Sequence, residues 1–81
     1  MSNERFPRDA PLSQVIQALA VLGFTVVRTG NHIALVRTNA DGTRTPMTLP
    51  NHRTHKASTL RTVLNQAGIP RDAFLRTYVA L

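Results

Sequence analysis

Apolar residues recur along this chain first with a helical period, then with a strand period, then with a helical period again. Leu12, Val15, Ile16, Leu19 and Leu22 fall on one helical face, with Ser13, Gln14 and Gln17 opposite. Asp9 stands where an N-cap belongs, Pro11 in the first turn and Gly23 at the residue after the last turn. The pattern predicts an amphipathic helix of about three turns, marginal alone in water and in need of a sheet to lie on. Phe24 to Arg28 then alternates, with Phe24 and Val26 sharing a face. Gly30 and Asn31, the residue types that most easily take positive φ, read as a reversal into a second strand from His32 to Thr38. There Ile33 and Leu35 share one face, and His32, Ala34 and Val36 the other. Asn39-Ala40-Asp41-Gly42 is a second reversal. A third strand from Thr43 to Leu49 carries Pro46, which places it at an edge or kinks it. Successive hairpins predict a three-stranded antiparallel meander.

Pro50 to Lys56 reads as a loop. A second helix begins near Ser58 or Thr59, either able to cap it; Leu60, Val63, Leu64 and Ala67 form its stripe and Gly68 ends it. Arg71 to Leu81 reads as a short helix anchored by Phe74, Leu75, Tyr78 and Leu81. The expected fold is α+β, in the order α-β-β-β-α with a short C-terminal helix. It has two layers, with the helices on one side and the other sheet face open. If Ile33 and Leu35 point into the core, His32 is on that open face.

Eighty-one residues allow one domain, divided here into a polar lead (1–8), a core (9–69) and a helical tail (70–81). A chain this short buries roughly 60–65% of its unfolded surface. Without cysteine it has no disulfide or thiolate metal site. No apolar run approaches the roughly 20 residues of a membrane span. Met1-Ser2-Asn3-Glu4-Arg5 lacks the apolar core of a secretion signal, so a cytoplasmic protein with no membrane partner is the expectation.

Charge narrows the partners. Ten basic residues, nine of them Arg, face four acids, for a formal net charge of +6. Between Gly42 and Arg71 there is no acid, while Arg44, Arg53, Lys56 and Arg61 lie within that span. Such one-sided charge suits a polyphosphate ligand, and Arg favours forked contacts to phosphate oxygens. A basic surface that meets an acidic protein is the alternative.

Four short motifs follow in order: Leu22-Gly23-Phe24, Arg28-Thr29-Gly30-Asn31-His32, Leu49-Pro50-Asn51-His52, and Thr59-Leu60-Arg61-Thr62-Val63-Leu64-Asn65-Gln66-Ala67-Gly68. In that order and spacing, from about Arg8 to Leu75, the chain resembles the HicA toxin family. Asn31 stands where Ser or Thr is commoner, and Ser58 where Gly usually precedes Thr-Leu. The resemblance implies a double-stranded-RNA-binding-like fold and a ribonuclease toxin of a type II toxin–antitoxin module, one that cleaves mRNA and is neutralised by a HicB-like antitoxin. The family's catalytic histidine maps onto His32.

The residues themselves fit that chemistry. Metal-free RNA cleavage needs a base for the 2′-hydroxyl proton, a role suited to histidine, and cations to offset charge on the phosphorane. Arg28, Arg37, Arg53, Lys56 and Arg61 are the candidate RNA-binding cations. There is no cysteine nucleophile, and the sparse carboxylates argue against a magnesium-dependent nuclease. Taken alone, His32 reads better as an ordinary strand-end histidine; the family match makes it the catalytic candidate. His52 is expected to be structural at the end of the third strand or a secondary active-site group, and His55 to be exposed. Two ligands without Cys or a nearby acid make a poor zinc site, and no cofactor is expected. Ala34 and Val36, beside His32 and rimmed by Arg28 and Arg37, form a small apolar patch that an acidic antitoxin would cover. Three function classes remain: an RNA endonuclease toxin, a non-catalytic RNA-binding module of the same fold, and a basic partner of an acidic protein.

Overall fold

Alternation along the strands decides which sheet face is buried. In the computed structural model, which describes residues 6–81, the elements are β1 (Ala10–Pro11), α1 (Leu12–Val21), β2 (Phe24–Thr29), β3 (His32–Thr38), β4 (Arg44–Pro50), β5 (Thr54–His55), α2 (Ala57–Ala67) and α3 (Arg71–Val79). The polar lead, up to Arg5, lies outside the described residues. β2, β3 and β4 form the antiparallel meander, with β3 in the centre.

Ile33 pairs with Leu49 and Leu35 with Met47, and all four are buried on one face. A slip of one residue would turn all of them to water, so burial fixes the register. Each such side chain contributes roughly 1.5–3 kcal/mol when fully buried. The same core takes Val15, Ala18 and Leu19 from α1, Leu60 and Leu64 from α2, and Phe74 from α3. On the opposite face Thr25, Arg28, His32, Thr38, Pro46 and Thr48 are exposed. The fold is α+β, a three-stranded antiparallel sheet with three helices in the double-stranded-RNA-binding-like arrangement. Pro46 is tolerated because β4 is an edge strand, laddered on one side only.

Local chemistry departs from expectation at several ends. Asp9 is exposed and does not cap α1; Pro11 is the N-cap residue, so the helix begins two residues later than Asp9 would have set it. Leu12 N–H is instead satisfied by the Arg53 carbonyl at 2.9 Å. Nor does Ser58 or Thr59 cap α2, which starts at Ala57 with Lys56 at the N-cap and no side-chain cap. Gly30 and Asn31 reverse the chain without positive φ. Leu81 is exposed beyond the end of α3 and anchors nothing. The glycine after α1 is needed twice over: Gly23 has φ +99°, and a Cβ there would meet the Arg37 side chain at 3.2 Å.

The Pro50–Lys56 segment, expected to be a loop, contains β5, which pairs with β1 through Ala10–His55 and Pro11–Thr54. Two-residue strands carry no periodicity to read. In the β3–β4 turn, Thr43 donates to Asp41 from its hydroxyl (2.6 Å) and its N–H (3.0 Å), and these bonds hold the Asp41 carboxyl below its usual range. α3 is tied to α1 by Tyr78 Oη donating to Gln14 Oε1 at 2.9 Å.

Candidate active site

His32 opens β3, with its side chain exposed on the uncovered face and Pro50 as its cross-strand partner. Strict alternation from Phe24 would turn Arg28 toward the helices. A β-bulge between Val26 and Arg28 absorbs Val27 as an extra residue, so that Arg28 pairs with Ala34. Ala34 shares its face with His32, so the bulge carries Arg28 to the same face, diagonal to His32 and roughly 7–8 Å from it along the pleat. Nothing in the residue types of Val26, Val27 and Arg28 announces that bulge.

On its other side His32 borders a groove of about 410 Å³ between the β4 edge and α2, lined also by Thr48, Pro50, Ser58, Thr59, Thr62, Val63 and Gln66. From the sequence, Ser58 and Thr59 are cap candidates and Val63 belongs to the apolar stripe, while Thr62 and Gln66 have no assigned role. Their signal was present: Thr59, Thr62 and Gln66 recur at helical spacing beside an apolar stripe.

Three contacts hold the strand end in place. Asn51 donates from its side-chain amide to Gly30 O at 2.8 Å and from its N–H to Asn31 O at 3.1 Å, clasping the turn that leads into His32. His55 is 1% exposed, and its Nε2 lies 2.7 Å from the Pro50 carbonyl. A carbonyl only accepts, so Nε2 carries the proton; Nδ1 is buried with no partner. The third contact is the β1–β5 pairing. The expected exposure of His55 is therefore corrected: it is the buried histidine, whereas His52 is exposed and stacks on it at 6.4 Å. β5 turns residue 55 inward, and its pairing was invisible in the sequence. Among the described residues no three His, Asp or Glu side chains gather as a metal site.

The cations divide. Arg28, Arg53 and Lys56 are exposed; the last two are in the segment joining β4 to α2, and Lys56 is two residues before groove-lining Ser58. Arg37 stands on the helix-side face, its guanidinium 5.1 Å from the Phe24 ring centroid and its Nε donating to Asn39 Oδ1 at 3.1 Å. Arg61 is about 100° around α2 from Thr62, on the flank away from Gln66, with its guanidinium 5.9 Å from the Phe6 ring centroid. Neither joins His32. Ala34 and Val36 are half-buried on the His32 face, beside Val27, which is 62% exposed.

A family model described as the HicA toxin of bacterial toxin–antitoxin matches residues 12–69, well over half of the chain. The chain belongs to the HicA toxin family. The matched span runs from the first residue of α1 to the residue after Gly68, so it includes His32, the groove, Asn51 and His55, and leaves out only the β1 side of the β1–β5 pairing. As a HicA toxin it is the toxin component of a toxin–antitoxin module, and an antitoxin is its partner. Among curated proteins and solved structures nothing matches the chain. Among the described residues no helix is long and apolar enough to cross a membrane.

Proposed function

We propose that this HicA toxin is a metal-independent endoribonuclease acting on mRNA in the cytoplasm, with His32 as general base. The observation that carries the reading is the company His32 keeps: an exposed imidazole with a bulge-delivered arginine on its own face and a groove beside it. In the proposed step His32 takes the proton of an RNA 2′-hydroxyl, whose oxygen attacks the adjacent phosphorus. Arg28 offsets charge on the phosphorane oxygens. The 5′-oxygen departs and takes a proton from water, leaving a 2′,3′-cyclic phosphate. Because His32 is open to solvent, its imidazolium returns its proton to water. RNA incubated with the protein in excess chelator should be cut to fragments with 2′,3′-cyclic phosphate ends. Binding without any cut would make the chain a non-catalytic RNA module.

Arg53 and Lys56 are assigned to the RNA backbone, with Arg28. Arg37 and Arg61, each engaged with an aromatic ring, are assigned lesser contributions. Phosphate contacts carry little sequence information. Reversing Arg53 and Lys56 together to Glu should therefore weaken binding to unrelated RNAs alike and flatten its salt dependence by about two counterions' worth of slope. Unchanged affinity would move this segment out of the substrate path and favour an acidic protein as the real ligand. His52, stacked on His55, is assigned a secondary role.

For the antitoxin, a HicB-like acidic protein is proposed to cover Ala34 and Val36 and so occlude His32. Val36 borders a shallow hollow with Thr25, Val27, Thr38 and Arg44, two aliphatic side chains among hydroxyls and one cation. Such a patch serves a protein better than RNA. Val36→Asp should weaken antitoxin binding by more than tenfold, a larger loss than it causes in the stability of the free toxin, where the side chain is half-buried. Antitoxin affinity equal to wild type would remove this face from the interface.

A further inference from the structure

The groove beside His32 has a lining unlike the rest of this basic molecule. Apart from His32 it carries no ionisable side chain: Pro50 and Val63 supply apolar wall, and the remaining groups are hydroxyls and one amide. A phosphate would find no cation inside it, and an ammonium would find no carboxylate. A flat, uncharged heterocycle with a hydrogen-bonding edge fits both kinds of wall, and about 410 Å³ is within the ordinary range for small-ligand sites.

The polar groups define the edge they would meet. The Thr62 hydroxyl donates to the Ser58 carbonyl at 3.0 Å, so its proton is committed and its oxygen faces a ligand as an acceptor. Gln66 is one helical turn further along the same flank and exposed, and its amide presents a donor beside an acceptor. Two acceptors and one donor match an exocyclic amino group next to a ring nitrogen, the edge of adenine and of cytosine. Glutamine can meet such an edge with a paired contact.

We propose that this groove seats one unstacked, amino-bearing base of single-stranded RNA, read by Gln66 and Thr62, and so sets which nucleotide presents its 2′-hydroxyl to His32. The inference rests on the RNA reading of the site and deepens it: base choice resides on α2, apart from the cations that hold the backbone. A base in the groove must leave its stack, so double-stranded RNA is excluded from this seat.

The test uses the intact chain and 2′-O-methyl oligonucleotides of A, C or U, which lack the attacking hydroxyl and stay whole with His32 in place. Oligo(A) or oligo(C) should bind on the order of tenfold more tightly than oligo(U). Thr62→Val should erase most of that difference, because an oxygen whose proton is committed can only accept, and Gln66→Ala should narrow it by weakening oligo(A) and oligo(C). Equal binding of all three, a preference for U, or a preference untouched by Thr62→Val or by Gln66→Ala would each overturn the proposal, whether or not the protein cuts RNA. If cleavage is absent but the preference that depends on Thr62 and Gln66 is present, the nuclease reading fails and the groove assignment stands.

Discussion

His32→Ala should lower RNA cleavage roughly 10²–10⁴-fold, the contribution of a positioned general base, and should end growth inhibition by the toxin. Stability should move by no more than about 0.5 kcal/mol, because the side chain is exposed. Its backbone stays laddered to Pro50 whatever the side chain. The two readouts must separate: urea unfolding at wild-type midpoint, together with loss of cyclic-phosphate products. His32→Gln keeps a hydrogen-bonding side chain but cannot take up a proton near neutrality, so it should resemble the alanine variant. Near-normal cleavage by either variant would sink the mechanism. Arg28→Ala should act on the same step more weakly, and Arg28→Lys should recover part of the loss, since the phosphorane needs charge more than a forked donor.

The sheet was legible in the sequence because its chemistry is local. Ile33 and Leu35 alternate with His32 and Ala34, and Asp41-Gly42 marks its own reversal, so three strands and the open face follow from period and turn type. The burial of Leu60, Val63 and Leu64 follows from a helical stripe in the same way. What escaped depends on residues far apart in the chain. Asn51 holds a carbonyl at Gly30, and His55 is inward only because β5 pairs with Ala10 and Pro11. The Val26–Arg28 bulge is a property of the β2–β3 ladder, not of either strand alone. Arg37 misled for a related reason. It is a cation in a basic chain, but register puts it on the Phe24 face, where an aromatic ring and Asn39 engage it. Charge counts can nominate a phosphate ligand; they cannot choose which arginines meet it.

The second large effect is expected at His55, and it separates two histidines only three positions apart. His55 is 1% exposed and bonds the Pro50 carbonyl, while His52 beside it is in solvent. His55→Ala removes a buried ring and strands that carbonyl, so it should cost about 3 kcal/mol. In a domain of this size that loss lowers the melting temperature by about 12–24 °C. His52→Ala should stay within about 0.5 kcal/mol of wild type. A His55→Phe variant fills the site with a somewhat larger ring but loses the bond, so its cost should come from the unsatisfied carbonyl together with overpacking. Pro50 is the cross-strand partner of His32 and lines its groove. The phenylalanine variant, where still folded, should therefore cleave RNA more slowly because the strand end is less well held. If His55→Ala melts with wild type, the β1–β5 ribbon does not bury this ring. The support proposed for the His32 site would then be absent.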